Sequence, residues 1–293
     1  MIGEKIKLFE DRNSWLQTYI NEDVEEYQTG RKRPAVVICP GGGYWYLSER
    51  EAEPIALKYM AEGYQAFVLH YSTGWDAVFP ASLQELSKAV SLIRENKEQW
   101  MVLEEDITVV GFSAGAHLAV SLAIWGELDE VTTSIGVAKG SNRANQMILG
   151  YPMLSGELLK PKDLPEEVQQ LIREGKIQLG EDPVKLLNGK KELTETEKEK
   201  YNVLKYIGNN MPPTFLWTTD GDKLIPKTDS LMFVNEMQKY GNIIEFHMFY
   251  KGNHGLALAN DRTATSELEI DRRVEQWFDM SITWLKEIGG RTL

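Results

Sequence analysis

Residues 107–119 read "ITVVGFSAGAHLA", in which Gly111-Phe112-Ser113-Ala114-Gly115 form a G-x-S-x-G pattern between an apolar run and an apolar helical stretch. A strand that turns this sharply into a helix crowds the positions two before and two after the serine, so only tiny residues fit there. The turn presents the Ser113 hydroxyl beside the free N–H groups that open a helix. A hydroxyl is a poor nucleophile without a base, and the chain has four histidines. His254 lies in the glycine-flanked "YKGNHGLALA", just after the last apolar run, and open α/β sheets carry their chemistry in the loops at strand C-terminal ends. His117 falls one helical turn beyond Ser113 and reads as a core histidine. His70 and His247 sit at the end of a strand and within one, and read as packing. The base needs a carboxylate to fix its tautomer and balance the imidazolium. "WTTDGDKLIP" offers two; Asp222, further out of the strand, is the expected partner of His254, and Asp220 organises the turn. Ser113, Asp222 and His254 are therefore the candidate catalytic residues of an acyl-transfer reaction.

Acyl transfer generates an oxyanion, which needs preorganised donors about 3 Å away. Gly41-Gly42-Gly43 follow the apolar run "AVVIC" at 35–39, and backbone N–H groups approach a substrate that closely only where side chains are absent. The N–H groups of Gly42, Gly43 and Ala114 form the expected oxyanion hole. The competing role, a phosphate cradle, lacks both G-x-x-x-x-G-K-[ST] and G-x-G-x-x-G in this chain. Tyr44, Trp45 and Trp75 follow strand ends and are candidates for an acyl or sugar pocket, with core packing as their alternative role. The single cysteine excludes a metal-ligand cysteine cluster, and acyl transfer by these residues needs no metal or organic cofactor.

The elements that must position these residues are legible as an alternation. Strands are predicted over "AVVIC" (35–39), "YQAFVLHY" (64–71), "ITVVGF" (107–112), "MILGYP" (147–152), "TFLWTTD" (214–220) and "IIEFHMFY" (243–250), each short, apolar and bounded by turn signals. Helices are predicted where Leu83, Leu86, Val90 and Ile93 recur, over the apolar 114–125, and where Val274, Trp277, Phe278, Ile282, Leu285 and Ile288 recur. This order implies a single α/β domain: a mostly parallel central sheet with helices on both faces. "KIKLFE" and "WLQTYI" are candidates for antiparallel edge strands. Residues 155–211 carry no strand signal and are too long for an ordinary connection. They read as a helical insertion, which either covers the site or is a solvated decoration.

The 293 residues carry a net charge of −12, which repels nucleic acid and anionic membranes. The single cysteine, Cys39, excludes a disulfide framework. No apolar stretch reaches membrane-spanning length and the N-terminus has no signal-peptide pattern, so a cytoplasmic protein is expected. A homo-oligomer stays open.

The chain order Ser113…Asp222…His254 is that of the α/β-hydrolase sheet. The motifs also resemble one family. "VVICPGGGYWYLSEREAEPIA", "GFSAGAHLA", "PPTFLWTTDGDKLIP" and "FYKGNHGLALA" are similar to the oxyanion, nucleophile, acid and histidine segments of α/β-hydrolase esterases, within the bacterial acetyl-esterase group related to acetylxylan esterases. The resemblance covers about 30–155 and 210–290. It implies hydrolysis of a short acyl ester, acetyl on a sugar or xylo-oligosaccharide, with a small ester as the substrate. A general short-chain carboxylesterase or lipase-like enzyme, a peptidase and a non-catalytic binding protein are the alternatives. Two features depart from the pattern. Pro40 stands where hormone-sensitive-lipase-like esterases carry histidine, and the insertion is longer and more charged than that group implies.

Overall fold

A computed structural model describes residues 3–26, 30–156, 158, 166–174 and 180–290. Its centre is an eight-stranded sheet in the order β1-β2-β4-β3-β5-β6-β7-β8. The strands are β1 (Lys5–Lys7), β2 (Trp15–Tyr19), β3 (Arg33–Cys39), β4 (Gln65–His70), β5 (Val102–Phe112), β6 (Gln146–Gly150), β7 (Thr214–Thr219) and β8 (Ile244–Phe249). The strands β3 to β8 pair in parallel, while β2 runs antiparallel to both β1 and β4. The two N-terminal apolar pieces are thus the antiparallel edge of the sheet.

Strand side chains alternate between the two faces, and the core divides accordingly. Ala35, Val37 and Cys39 of β3 join one apolar cluster with Leu83, Leu86, Val90 and Ile93 of α2 (Ala81–Glu95), with α3 (Ala114–Trp125) and with Phe233 and Met237 of α7 (Lys227–Lys239). Val36 and Ile38 join the opposite cluster with Ile55, Ala56 and Tyr59 of α1 (Glu53–Ala61) and Trp277, Phe278, Ile282 and Leu285 of α8 (Trp277–Ile288). This strand order, with β2 antiparallel, the following strands parallel and helices on both faces, is the α/β-hydrolase fold. Because β3, β6 and the 107–112 part of β5 are buried along nearly their whole length, they read as apolar runs.

Between β6 and β7 the described residues form only short helices: α4 (Glu166–Arg173), α5 (Pro183–Asn188) and α6 (Glu195–Lys198). Residues 157, 159–165 and 175–179 of this segment lie outside the described residues. Asp182 caps α5 through the Val184 N–H, and Thr194 and Glu197 form a reciprocal capping box on α6, which satisfies helix-end donors that packing leaves exposed. No described helix is long and apolar enough to cross a membrane.

Candidate active site

The site begins where β5 turns into α3. Ser113 is held at φ 51°, ψ −116°, a conformation that costs a non-glycine residue free energy and persists only where its surroundings enforce it. Its N–H donates to the Gly150 carbonyl at 3.0 Å, and its own carbonyl accepts from the N–H groups of Ala116, His117 and Met153. The helix packs against the end of β3 so closely that a Cβ on Gly115 would stand 2.0 Å from the Cys39 carbonyl oxygen. Only glycine permits that approach. With its backbone fully engaged, Ser113 has just its hydroxyl left to offer.

Loops that follow β7 and β8, at the same edge of the sheet, meet that hydroxyl. His254 Nε2 lies 2.9 Å from Ser113 Oγ, and His254 Nδ1 lies 2.7 Å from Asp222 Oδ2. The other Asp222 oxygen accepts from the N–H groups of Leu224 (2.8 Å) and Ile225 (3.0 Å). Burial opposes ionisation of Asp222, but the charge and hydrogen bond of His254 and the two backbone donors outweigh it and hold the carboxyl below its ordinary value. An ionised carboxylate only accepts, so Nδ1 carries the imidazole proton and Nε2 is free to accept from the serine hydroxyl. The acid and histidine loops are pinned together: Thr219 Oγ1 donates to the Gly252 carbonyl at 2.8 Å. Asp220, by contrast, is ion-paired with Lys227 on the exposed side of the turn.

The glycine loop runs alongside. The Gly41 N–H donates to the Glu51 carboxylate at 2.6 Å, whereas the N–H groups of Gly42, Gly43 and Ala114 have no protein acceptor among the described residues. Gly42 sits at φ +123°, and a Cβ there would lie 2.1 Å from the Tyr46 carbonyl oxygen. The loop is closed on itself by hydrogen bonds from Trp45 and Tyr46 N–H to Gly42 O and from Ser48 N–H to Gly41 O. Free donors on a loop beside the Ser113 hydroxyl are an arrangement that could hold a developing oxyanion.

The other histidines are structural. His117 is buried between the Tyr44 hydroxyl (2.9 Å to Nδ1) and the Tyr201 carbonyl (2.7 Å to Nε2). The carbonyl can only accept, so the proton is on Nε2 and Tyr44 donates to Nδ1. Burial lowers its pKa to about 4. His70 stacks on Trp15 with ring centroids 4.2 Å apart, and His247 bonds to Glu245 on β8.

The three aromatic pocket candidates separate. Tyr44, at φ 58°, turns inward, is 1% exposed and belongs to the core; the bond to His117 holds it away from the surface. Trp45 and Trp75 are 46% and 39% exposed, and the Gly74 N–H bonds to the Tyr44 carbonyl at 2.7 Å, so the turn carrying Trp75 is fastened to the glycine loop. The segment between β6 and β7 reaches this same edge. A Cβ on Gly180 would lie 2.6 Å from Trp45 Cγ, Pro183 faces Gly43, and the Leu187 carbonyl accepts from Phe79 N–H.

Two residues here carry no motif signal. Glu51 is buried, and its second oxygen accepts from the Tyr151 hydroxyl at 2.7 Å. That hydroxyl also accepts from the Ala257 N–H at 3.0 Å, and the Tyr151 ring meets the His254 ring edge-on at 4.9 Å. Glu51 lies in a charged run, "SEREAEP", that reads as a solvated surface, and Tyr151 ends an apolar strand. Only the fold brings them together.

Comparison with known proteins agrees with this architecture. Residues 23–237 match the BD-FAE family model. Endo-1,4-beta-xylanase B of Butyrivibrio fibrisolvens is 30% identical over 234 residues, covering 78% of this chain and 33% of that protein. The chain spans between 23% and 40% of the length of the curated relatives it matches. Among solved structures, the carboxylesterase Cest-2923 from Lactobacillus plantarum superposes with a TM-score of 0.80 at 25% identity over 100% of both chains. The acetyl ester-xyloside bifunctional hydrolase from Caldicellulosiruptor lactoaceticus gives 0.75 at 27% identity over 99% of this chain and 98% of that one. With the family match spanning most of its length, and an α/β-hydrolase sheet beneath it, the chain belongs to the BD-FAE family.

Proposed function

We propose that this chain is a serine carboxylic-ester hydrolase that removes short acyl groups, acetyl above all, from acetylated sugars or xylo-oligosaccharides. The observation that carries the reading is the hydrogen-bonded series Asp222–His254–Ser113, at 2.7 and 2.9 Å. In the first half-reaction Ser113 Oγ attacks the acyl carbonyl while His254 Nε2 takes the hydroxyl proton. The oxyanion of the tetrahedral intermediate is held by the N–H groups of Gly42, Gly43 and Ala114; in comparable holes one such donor supplies about 2.7–4 kcal/mol. Collapse breaks the bond to the alcohol, which leaves with the proton from His254, and the acyl group stays on Ser113. In the second half-reaction His254 deprotonates a water, which attacks the acyl-enzyme; as the Oγ–acyl bond breaks, His254 returns that proton to Ser113 Oγ, and the carboxylic acid leaves. Asp222 keeps the proton on Nδ1 throughout and balances the imidazolium.

The sugar-acetate preference is supported by the relatives named as a xylanase and as an acetyl ester-xyloside hydrolase, and by the exposed rings of Trp45 and Trp75 beside the oxyanion loop, which suit stacking on a sugar face. The neighbour named as a carboxylesterase favours a second reading, a general short-chain carboxylesterase. Acetate release from acetylated xylo-oligosaccharides, simple sugar acetates and cephalosporin-type acetates, run beside a 4-nitrophenyl ester series of increasing acyl length, separates the two. The proposal expects acetyl to lead the series and the oligosaccharides to lead the acetates. A preference for long acyl chains, or equal rates on all acetates, overturns it.

A further inference from the structure

We infer that Glu51 is a positioning residue of the hydrolytic site: its buried carboxylate, through the Gly41 N–H and the Tyr151 hydroxyl, locks the oxyanion loop to the histidine loop and sets a second carboxylate beyond the tyrosine ring that packs on His254. This inference rests on the reading of Ser113, His254 and Asp222 given above and assigns a role to a side chain outside that triad.

The geometry is specific. Glu51 is 3% exposed, and a carboxylate is almost never buried unless it is partnered. Both partners are donors: Gly41 N–H to Oε2 at 2.6 Å and Tyr151 hydroxyl to Oε1 at 2.7 Å. Two donors suit an ionised carboxylate, one on each oxygen. Gly41 lies against the nucleophile, since a Cβ there would stand 2.9 Å from Ser113 Cβ and 2.8 Å from Glu51 Oε2. On its other side the pair reaches the histidine loop, where the Tyr151 hydroxyl accepts from Ala257 N–H three residues beyond His254. The arrangement is enforced at some cost. Tyr151 and Ala257 both hold positive φ, 36° and 51°, which non-glycine residues adopt only under constraint. A chain of bonds therefore runs from the oxyanion loop through Glu51 and Tyr151 to the loop that carries the base. Neither end can shift without breaking a buried hydrogen bond, to the Glu51 carboxylate at the Gly41 end and to the Tyr151 hydroxyl at the Ala257 end.

The charge has a second consequence. Burial holds the Glu51 carboxyl above its ordinary value, against the opposing pull of Tyr151, Gly41, His254 and Arg50. The groups facing Glu51 are Tyr46, Arg50, Tyr71, Tyr151 and His254. Of these, Arg50 is already ion-paired with Glu269, so His254 is the group facing Glu51 whose charge changes in the proposed cycle. When it takes the Ser113 proton, it becomes a cation bonded to Asp222 and separated from Glu51 by the Tyr151 ring, and both anions favour that state.

The test compares Glu51→Gln and Tyr151→Phe with the unsubstituted protein and with Ser113→Ala, on 4-nitrophenyl acetate across pH, after circular dichroism and thermal melting of each variant. Glu51→Gln keeps the shape and removes the charge; Tyr151→Phe keeps the charge and cuts the bridge. Both are expected to lower kcat by roughly ten- to a hundredfold with KM within about twofold, the signature of a misplaced catalytic group rather than lost substrate binding. Only Glu51→Gln is expected also to move the acid limb of kcat/KM to lower pH, because it alone removes an anion that favours the imidazolium. Wild-type kcat in either folded variant, or a Glu51→Gln loss with an unmoved acid limb, overturns the inference. If Glu51→Gln does not fold, Tyr151→Phe decides: a kcat loss at unchanged KM supports the bridge, and wild-type kcat refutes it. Ser113→Ala separates the levels, since full activity there defeats the underlying reading, whereas its inactivity together with unaffected Glu51 and Tyr151 variants defeats only this inference.

Discussion

Replacing Asp222 by Asn tests the proposed site where its geometry is most constrained. Asp222 Oδ1 accepts from two backbone donors, Leu224 N–H and Ile225 N–H. An asparagine keeps its carbonyl oxygen there, because turning its NH₂ toward two N–H groups would bury opposed donors. The NH₂ then occupies the place of Oδ2, 2.7 Å from His254 Nδ1. The imidazole can bond to that donor only by presenting a bare Nδ1, so its proton moves to Nε2 and faces Ser113 Oγ. The serine thereby loses its base while every heavy atom stays in place. In comparable triads this wrong tautomer costs about 10⁴ in kcat, equivalent to about 5.4 kcal/mol. Asp222 sits behind the histidine, so KM is expected to change little. The assay is steady-state hydrolysis of 4-nitrophenyl acetate at pH 7.5, with Asp220→Asn as control, since Asp220 pairs with Lys227 at the surface. A folded Asp222→Asn protein within tenfold of the unsubstituted kcat, or an equal loss in Asp220→Asn, would refute the assignment.

Other substitutions probe the supports of the site. Gly42→Ala, whose Cβ would meet the Tyr46 carbonyl oxygen at 2.1 Å, is expected to lower kcat at least about a hundredfold by displacing an oxyanion donor, and to lower the melting temperature; an unchanged kcat would remove Gly42 from the hole. His117 is neutral in the folded protein down to about pH 4, whereas in the unfolded chain it titrates near about 6.5. The unfolded state therefore binds the extra proton between these values, and stability falls as pH drops through that window, by about 3 kcal/mol in all. Urea denaturation at pH 7 and pH 4.5 reads this, and His117→Gln is expected to remove that share of the pH dependence. Gly180→Val forces Trp45 from its place, with contacts as short as 2.6 Å. It is expected to raise KM for acetylated xylo-oligosaccharides about fivefold, the worth of one aromatic contact at about 1 kcal/mol, with little change on 4-nitrophenyl acetate; equal effects on both substrates would deny Trp45 a part in sugar binding.

The features legible in the sequence are those set by local constraint. The strands β3, β6 and β7 are continuous apolar runs because both faces are covered, and their ends fall within one or two residues of the sequence reading. The turn around Ser113 is legible because its close packing admits few residues. β5 begins earlier than its apolar run, at Val102. Its first residues, "VLEED", are partly exposed and charged, and pairing of Val102 with Arg33 across a register shift, rather than apolar pattern, holds them in the sheet. Helix α1 carries Pro54 in its first turn, and α7 has a weakly apolar sequence, so neither announced itself by periodicity. The inward turn of Tyr44 follows from a positive φ that no motif encodes. Glu51 and Tyr151 are 100 residues apart and meet only through the sheet order. The contact of Gly180 with Trp45 likewise depends on how the segment after β6 folds back, which sequence spacing does not specify.

Labelling the nucleophile tests the central claim most directly. The protein is treated with diethyl 4-nitrophenyl phosphate, digested and analysed by mass spectrometry, beside His254→Ala. One equivalent of diethylphosphoryl group on Ser113, lost or greatly slowed in His254→Ala, is the expected result. Modification at a different residue, or none in a folded protein that still hydrolyses esters, would contradict it.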